Sequence, residues 1–465
     1  MTEICTARGH LFNPTILREY DIRGVVGETL SEADARAIGN GFARVLAAAG
    51  KRRIAVGRDG RLSSPALEAA LVKGLGESGI DVVRIGVGPT PMLYFAATTL
   101  PVDGGIMVTG SHNPANHNGF KMMIGKKSFF GADIQRLGRI AAAGDFPEGA
   151  GQVSELRIME TYVERLLADF DGKRPLRVAW DAGNGATGDV LTRLTQRLPG
   201  RHLLLNEVID GRFPAHHPDP TEAKNLVELQ ETVTKAACDF GIAFDGDGDR
   251  IGVVDGKGRI LWGDQLMVIL AADVLERQPG ATIIADVKAS QVLFDEIARM
   301  GGAPLMWKSG HSLIKTKMAE VGAPLAGEMS GHIFYADRYY GFDDALYAAI
   351  RLLSVIARGP ETLASMRDRL PVVVNTPELR FPCAEPRKFA VIDEVRERLK
   401  RAGADLQTID GVRVRTEAGW WLLRASNTQD VLVARAEARD QAGLERLKAL
   451  LSAELKKSGI TLPAL

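Results

Sequence analysis

The sequence predicts an α/β protein made of three successive mixed α/β domains and a C-terminal α+β domain. Short apolar strand patterns alternate with amphipathic helix patterns, which is typical of layered α/β folds. The alternation restarts twice, whereas the C-terminal part pairs two strand patterns flanked by helices. The 465 residues suit about three domains, give or take one. We place the domain boundaries at 1–155, 156–257, 258–370 and 371–465.

The first domain opens with a polar loop at residues 20–24, before a helix that begins near Ser31. That helix carries apolar residues on one face, namely Ala35, Ile38, Phe42, Val45 and Leu46. The next elements are a strand at 53–56, a helix at 65–77, and strands at 82–85 and 106–108. Such short, wholly apolar strands predict a buried, mainly parallel sheet.

The second domain begins with a helix at 159–170 and a strand at 176–180, and its strand at 241–244 ends in an aspartate-rich loop. The third domain holds strands at 282–287, 304–307 and 324–326, each followed by a polar loop. In the fourth domain, two strand patterns at 419–428 and 431–436 surround a polar turn, with helices at 388–400 and 441–456. This last arrangement predicts a small antiparallel sheet with helices on one face.

The composition is that of an ordinary globular protein and excludes several classes. With 58 basic and 58 acidic residues, the net charge of zero argues against nucleic-acid binding. Cys5, Cys238 and Cys383 are too scattered for a disulfide framework or a zinc site. The N-terminus lacks a signal-peptide pattern, and the most apolar window, 266–275, is too short for a membrane span. We expect a cytoplasmic monomer with no membrane or nucleic-acid partner.

One serine stands on a tight polar turn after an apolar strand, in the segment VTGSHNP at 108–114. Taken alone, Ser111 is more often a structural turn residue, and Thr109 occupies the place of the first glycine in a nucleophile elbow. A serine that accepts and returns a phosphoryl group needs a metal and nearby cations rather than an adjacent histidine base. Ser111 is our candidate for such a phosphoserine.

The loop DGDGDR at 245–250 carries three carboxylates at alternate positions, Asp245, Asp247 and Asp249. Two carboxylates about 4 Å apart repel by roughly 4 kcal/mol at an effective dielectric near 20, so the cluster calls for a cation. The loop does not fit an EF-hand, because Arg250 and Gly256 stand where that motif needs glycine and glutamate. We therefore predict a Mg²⁺ site with open positions for a substrate phosphate.

A second glycine-rich motif, GNGATG at 183–188, offers an alternative function. It follows a strand, precedes a helical stretch and has Glu207 about twenty residues on, as a dinucleotide-binding fingerprint requires. An NAD-dependent oxidoreductase therefore stays an alternative, although a tight strand-to-helix turn is a sufficient reason for these glycines. A sugar-phosphate binder without catalytic activity is a third possibility.

Four loops together resemble those of the α-D-phosphohexomutases, in particular the bacterial phosphomannomutase/phosphoglucomutase branch, over essentially the whole chain. They are TGSHNP (109–114), DGDGDR (245–250), GEMSGH (327–332) and RASNT (424–428). The fourth loop departs from the usual Glu-Pro ending and carries Gln429 and Asp430 instead, which puts only its rigidity in doubt. The resemblance implies four domains around a central cleft, with one loop from each.

The resemblance also implies a role for each matching residue. Ser111 would be the phosphoserine and would bind Mg²⁺ together with Asp245, Asp247 and Asp249. Glu328 and Ser330 would hold sugar hydroxyls. Arg424, Ser426, Asn427 and Thr428 would clamp the phosphate that does not react. The other matching cleft residues are Tyr20, Arg23, Lys121, Arg250, Lys288, His311 and His332, of which Arg23, Lys121 and His332 would be nearest to proton transfer.

The implied reaction is reversible phosphoryl transfer between O1 and O6 of a hexose phosphate, through the phosphoserine and a 1,6-bisphosphate that also serves as activator. Mannose and glucose differ only at C2, where the third loop offers the apolar Met329. The glucosamine-specific branch typically carries glutamine at that position, so a phosphoglucosamine mutase is a less favoured alternative. We expect mannose and glucose phosphates to be the substrates.

Overall fold

The computed structural model describes residues 9–427 and 429–461. They form four sheets along the chain, and this architecture confirms the predicted fold class. Within the part of the chain that is described, no helix combines the length and hydropathy needed to cross a membrane.

The first sheet has the strand order β1-β5-β4-β2-β3-β7, with β6 paired to β5. Its strands are β1 (Ile22–Val25), β2 (Arg53–Arg58), β3 (Asp81–Val87), β4 (Gly104–Val108), β5 (His117–Ile124), β6 (Lys127–Phe129) and β7 (Val153–Glu155). Its helices are α1 (Glu32–Ala48), α2 (Ser64–Glu77), α3 (Thr90–Thr99) and α4 (Ala132–Ala143). Helix α1 starts where predicted, because Ser31 and Asp34 form a capping box at its N-terminus.

The second sheet has the order β12-β11-β10-β8-β9. Helix α5 (Met159–Leu167) leads into β8 (Leu176–Asp181), α6 (Gly188–Thr195), β9 (Gly200–Leu205), α7 (Val227–Lys235), β10 (Phe240–Phe244), β11 (Ile251–Asp255) and β12 (Ile260–Leu261). Strands β8, β9 and β10 are parallel, as the apolar sequences of β8 and β10 predict; β9 was not predicted from the sequence.

The third and fourth sheets have the orders β14-β13-β15-β16-β17 and β18-β23-β22-β21-β20, with β19 paired to β23. The third contains α8 (Gly263–Arg277), β13 (Thr282–Asp286), α9 (Gln291–Arg299), β14 (Ala303–Trp307), α10 (His311–Val321), β15 (Leu325–Gly327), β16 (Ile333–Tyr335), β17 (Phe342–Asp343), α11 (Ala345–Arg358) and α12 (Leu363–Asp368). The fourth contains β18 (Val374–Asn375), β19 (Leu379–Pro382), α13 (Glu385–Arg401), β20 (Asp405–Gln407), β21 (Val412–Thr416), β22 (Gly419–Ala425), β23 (Val431–Ala438) and α14 (Gln441–Lys457). It is antiparallel, as predicted.

In the first three domains, the expectation of mainly parallel sheets is wrong in one consistent respect. The loops at 109–114, 245–250 and 327–332 each connect two neighbouring antiparallel strands: β4 and β5, β10 and β11, and β15 and β16. The fourth loop connects β22 and β23, whose antiparallel pairing agrees with the prediction. The segment at 20–24 likewise includes β1, an edge strand antiparallel to β5, where a polar loop was expected. Strand β5 begins with His117, Asn118 and Gly119, so its polar start hides the strand from an apolar pattern.

One apolar core spans the first three domains, whereas the first domain also has a separate core around α1 and the fourth has its own. One buried cluster runs continuously from α3 in the first domain through β8 and β10 to α8 and α11 in the third. The C-terminal sheet has its own core, which meets the third domain at a small cluster of Val287, Trp420 and Leu422. The first three sheets therefore share one packed body, and the fourth packs against its end.

Candidate active site

The turn after β4 brings Ser111 to the aspartate loop of the second sheet. Ser111 is buried and has a φ of +48°, in the left-handed region that non-glycine residues seldom adopt. Its hydroxyl donates to Oδ2 of Asp245 at 2.9 Å, and its Oγ lies 3.2 Å from Nδ1 of His112. Because burial and nearby cations hold the pKa of His112 well below its usual range, that imidazole is neutral at neutral pH. Ser111 thus has a neutral histidine beside it.

The three aspartates of the second loop converge on one point. Asp245, Asp247 and Asp249 are completely buried, and each offers a carboxylate oxygen within 4.8 Å of the others. Burial, followed by repulsion from Asp247 and Asp249, raises the pKa of Asp245 well above its usual range. A bound cation would cancel this repulsion and stabilise the ionised carboxylates.

Lys121 lies against the far side of this cluster. Its Nζ donates to Asp247 Oδ2 at 2.7 Å and to Asp249 Oδ2 at 2.5 Å. Burial alone would lower the pKa of Lys121, but the two carboxylates outweigh it and raise the pKa well above its usual value. The ammonium group is consequently retained inside the protein and neutralises part of the negative charge.

The donor set fits a divalent cation that prefers oxygen. Oδ1 of Asp247 and Oδ1 of Asp249 are both buried without a hydrogen-bond partner, and such orphaned acceptors are costly unless a ligand binds them. With Asp245 they form an all-oxygen set, the type that Mg²⁺ selects. Asp249 also belongs to a second cluster, with His332 and Asp343, but that set includes a nitrogen and suits Mg²⁺ less well.

The second and third loops meet at His332. Nε of Arg250 donates to Nε2 of His332 at 3.0 Å, and Nδ1 of His332 lies 3.1 Å from Asp343 and 3.6 Å from Asp249. Arg250 and His332 are also paired by a backbone bridge. Nε2 of His332 therefore faces Arg250, and Nδ1 faces the two carboxylates.

The sugar-binding candidates of the third loop lie next to this junction. Oε1 of the buried Glu328 accepts from the Gly310 backbone at 2.6 Å, and burial raises its pKa. His311 packs parallel to His332 with 5.6 Å between ring centroids, and Ser330 is half-buried on the same loop. The sulfur of Met329 faces the guanidinium of Arg435 in the fourth domain. Met329 is therefore engaged by the domain interface, where the sequence predicted a contact with the sugar.

The fourth loop contributes buried cations paired with carboxylates. Nε of Arg424 donates to Asp410 at 3.0 Å, and Nζ of Lys288, from the third domain, donates to Glu378 at 3.0 Å. Burial opposes charge on both, but the carboxylates prevail and raise the pKa of Arg424 and of Lys288. Ser426 is buried beside Arg424, and Thr428 lies outside the described residues.

Tyr20 and Arg23 bring the first domain to the other loops. The hydroxyl of Tyr20 donates to the Ser309 carbonyl at 2.9 Å and accepts from Asn427 at 2.7 Å, which joins three domains at one atom. Arg23, on β1, pairs with Asp21. The Tyr20 contacts place that residue at the meeting point of three domains, whereas the Arg23 contact lies within the first domain.

The glycine-rich motif at 183–188 has a structural role. A Cβ added to Gly185 would lie 2.9 Å from the Gly246 carbonyl, and one added to Gly188 would lie 1.8 Å from the Glu207 carbonyl. The space that a pyrophosphate would need is thus filled by the aspartate loop and by the segment around Glu207. The motif packs against the aspartate loop and leaves no room for a dinucleotide.

Next to this motif, Nε2 of His216 donates to Oδ2 of Asp181 at 2.8 Å. Burial lowers the pKa of His216, but Asp181 outweighs burial and raises it to about 9. Because the folded pKa lies above the usual 6.5, the stabilisation is complete below pH 6.5 and is lost as pH rises through 9.

Chemical unfolding tests this assignment. The unfolding free energy of the wild type should fall between pH 6.5 and pH 9.5, and the fall should be about 1 kcal/mol smaller in His216→Gln, after allowance for solvent screening. His117→Gln is the control, because burial lowers the pKa of His117. If the free energy of His216→Gln changed with pH as much as that of the wild type, the assignment would be contradicted.

Sequence reasoning missed several residues that shape the site. Thr90 donates to Asp247 Oδ2 at 2.5 Å from the start of α3, and Asp343 faces His332 from β17. The segment GRDGR at 57–61 also reaches the serine loop, through Asp59 and Arg61. Its glycines and alternating charges were visible in the sequence, but only the fold indicates what they contact.

Comparison with known proteins identifies the family. Models of the phosphoglucomutase/phosphomannomutase alpha/beta/alpha domains I, II and III match residues 14–147, 160–258 and 262–373, and the C-terminal domain of that family matches 378–454. The chain is 44% identical over 443 residues to a phosphomannomutase/phosphoglucomutase of Pseudomonas syringae pv. tomato, covering 95% of each chain. It is 42% identical over 458 residues to that of Pseudomonas aeruginosa, covering 98% of this chain and 99% of the relative.

A solved structure agrees with these matches. The phosphoglucomutase/phosphomannomutase family protein of Burkholderia thailandensis superposes with a TM-score of 0.93 at 44% identity, covering 98% of this chain and all of its own. The domain models, the relatives and the solved structure all point to the same family. The chain belongs to the phosphoglucomutase/phosphomannomutase family and is a phosphohexomutase.

Proposed function

We propose that the protein interconverts hexose 1-phosphates and hexose 6-phosphates by passing a phosphoryl group through Ser111. The observation that carries this proposal is the contact between the Ser111 hydroxyl and Asp245, beside two orphaned carboxylate oxygens and a buried ammonium group. A phosphoryl group on Ser111 needs cations around its oxygens, which the buried Lys121 and a metal held by the aspartates would supply. The names of the curated relatives favour this function over glucosamine phosphate or nicotinamide chemistry.

The transfer consists of two balanced steps. In the first, O6 of the hexose 1-phosphate bonds to the phosphorus, the bond from phosphorus to Ser111 Oγ breaks, and a side chain of the cleft carries the O6 proton to Oγ. The resulting 1,6-bisphosphate turns over in the cleft. In the second step Oγ gives up its proton and bonds to the phosphorus of the phosphate on O1, the bond from phosphorus to O1 breaks, and that proton is carried to O1. Hexose 6-phosphate and phosphorylated Ser111 remain.

Lys121, Arg23 and His332 are our candidates for moving the proton. Lys121 starts as an ammonium group held by Asp247 and Asp249. A cation bound to these carboxylates would reduce their pull on Lys121 and would lower its pKa towards the range in which it can exchange a proton with a sugar hydroxyl. His332, whose Nε2 accepts from Arg250, orients the loop. It takes part in proton transfer only if Arg250 turns away to bind the substrate phosphate.

The phosphate that does not react would bind between the third and fourth domains. Arg424, Lys288, Ser426 and Asn427 offer several donors there, and Arg424 provides the planar fork that suits phosphate. Thr428 is proposed as a further donor from its sequence match alone. Glu328 and Ser330 would hold O3 and O4, which stay in the same region when the sugar turns over.

Mg²⁺ is the proposed cofactor, held by Asp245, Asp247, Asp249 and the phosphate on Ser111. When bound, it neutralises charge on the transferring phosphoryl group. Hexose 1,6-bisphosphate is the proposed activator, because it can restore the phosphate to a Ser111 that has lost it. That the protein acts as a cytoplasmic monomer stays a prediction.

A coupled assay tests the proposal. Purified protein with Mg²⁺ and glucose 1-phosphate should form glucose 6-phosphate, and added glucose 1,6-bisphosphate should raise the rate if part of the protein is unphosphorylated. Turnover that needs nicotinamide cofactor, or binding without turnover, would contradict the proposal.

Substrate choice provides a further prediction. Glu328 and Ser330 would contact hydroxyls that glucose and mannose share, and Met329 is occupied by Arg435. Apolar or absent contacts at C2 discriminate by about 10- to 200-fold at most, so kcat/KM for glucose 1-phosphate and mannose 1-phosphate should be comparable. Glucosamine 1-phosphate should be much slower. A preference of more than about a thousandfold between the first two substrates would reveal a group that reads C2.

A further inference from the structure

One buried arginine holds the serine loop from behind. The side chain of Arg61 is 1% exposed. Its Nη1 donates to the carbonyls of Pro114 and His117 at 2.5 and 3.0 Å, and its Nη2 donates to those of Ser111 and Asn113 at 2.7 and 2.6 Å. Four carbonyls of one loop therefore converge on a single guanidinium group, a task that only the planar, five-donor arginine can perform.

Asp59, two residues earlier, holds the other side of the same loop. Its Oδ2 accepts from the Gly110 backbone at 3.1 Å and from the Thr109 hydroxyl at 2.8 Å, and it lies 3.2 Å from Nε of Arg61. The Thr109 hydroxyl is also 3.2 Å from Oδ2 of Asp247. The pair of Asp59 and Arg61 thus connects the backbone of the serine loop with the aspartate loop.

The second domain closes over this pair. The ring of Phe213 lies 5.0 Å from the Arg61 guanidinium carbon, and a Cβ on Gly211 would lie 2.6 Å from the Arg61 Cα. The segment that contains Phe213 is held in turn by Asn184 of the glycine-rich motif, which donates to the Val208 carbonyl and accepts from the Ala215 backbone. On the opposite side, a Cβ on Gly246 would lie 2.4 Å from the Ser111 carbonyl oxygen.

We propose that Arg61 is a positioning residue for phosphoryl transfer, and that it holds Ser111 in its left-handed conformation at a fixed place relative to the aspartate loop. The inference rests on the proposed function. Arg61 reaches the loop carbonyls and not the reacting atoms, so it acts through the Ser111 backbone. Without its fork, the phosphoserine keeps its chemistry but loses its alignment with the attacking hydroxyl, and small displacements of reacting groups are costly.

The variant Arg61→Lys tests this role, because lysine keeps the positive charge and loses the fork. We expect kcat for glucose 1-phosphate to fall at least 10-fold with KM changed less than about 3-fold, since the phosphate clamp lies in other domains. Hydrolysis of the phosphoserine breaks the same bond but uses water, which is not held by the sugar-binding loops and so depends less on the position of Ser111. The ratio of phosphate release to sugar transfer should therefore rise, and the ³¹P resonance of the phosphoserine should shift or broaden.

Two further variants complete the experiment. Arg351→Lys is the matched control, because Arg351 is also completely buried in ion pairs but lies in the third domain; it should lower the melting temperature and leave the ratio and the ³¹P resonance unchanged. If Arg61→Lys does not fold, Phe213→Leu decides, with a smaller rise in the same ratio expected. An unchanged ratio and resonance in the folded Arg61→Lys, or in Phe213→Leu when Arg61→Lys does not fold, would overturn the inference. The wild-type protein separates this outcome from a failure of the proposed function, because in that case the wild type would show neither phosphoserine nor turnover.

Discussion

Replacing Ser111 with alanine is expected to lower the turnover of glucose 1-phosphate by at least about 10⁴-fold, because the covalent route through the side chain is lost. The wild-type protein, purified without treatment, should carry a partial phosphate adduct in its intact mass, and the adduct should be absent from Ser111→Ala. The variant should fold normally, since the Asp59 and Arg61 contacts to the loop backbone do not involve the Ser111 side chain.

Thr15→Ala is a suitable control, because Thr15 is an exposed hydroxyl residue at the start of the chain. It should keep both the phosphate adduct and the activity. An adduct that persists in Ser111→Ala, or activity within 10-fold of wild type, would place the acceptor elsewhere.

Asp245→Asn should lower kcat by about 10²- to 10³-fold, because it removes one negative ligand from the proposed Mg²⁺ site and weakens charge neutralisation during transfer. The asparagine oxygen can still accept from the backbone amides of Asp249 and Arg250, which Asp245 binds at 3.1 Å each. Without metal, the variant should be at least as stable as wild type, because burial and the neighbouring carboxylates raise the pKa of Asp245 and its charge is unfavourable there.

Thermal unfolding with and without Mg²⁺ separates the metal effect from the folding effect. At 100 times its dissociation constant, a ligand stabilises the native state by about 2.7 kcal/mol, so wild type should gain on this scale and Asp245→Asn should gain much less. Asp368→Asn, which alters an exposed carboxylate paired with Arg259, should respond as wild type does. Full activity in excess chelator, or an equal gain in both proteins, would rule out a metal at these aspartates.

The sequence was sufficient to predict the layering, the family and the loops, because each depends on local patterns. The capping box at Ser31 and the apolar strand before Asp245 are readable without tertiary information. The antiparallel return strands were not, since β5 starts with polar residues whose register partners lie on β1, a strand far away in sequence. The roles of the individual substrate-binding residues stay predictions.

Residues whose importance comes from contacts with distant parts of the chain could not be predicted from the sequence either. Arg61 could be taken for a surface arginine until the fold places four loop carbonyls around it. Met329 was expected to face C2 of the sugar, but a guanidinium from a strand over a hundred residues later lies against its sulfur. In both cases the partner is distant in sequence, and no local periodicity encodes such a contact.

The Tyr20 contact has a consequence for biosynthesis. Its partner Asn427 lies 407 residues later in the chain, whereas Ser111 meets Asp245 across 134 residues. At about 5 to 20 residues per second, a ribosome needs roughly 10 to 35 seconds to proceed from the aspartate loop to Asn427. During that interval the nascent chain can assemble the serine and aspartate loops but not the complete cleft. Ribosome-arrested chains ending near residue 330 should therefore protect the serine loop from protease while showing no mutase turnover.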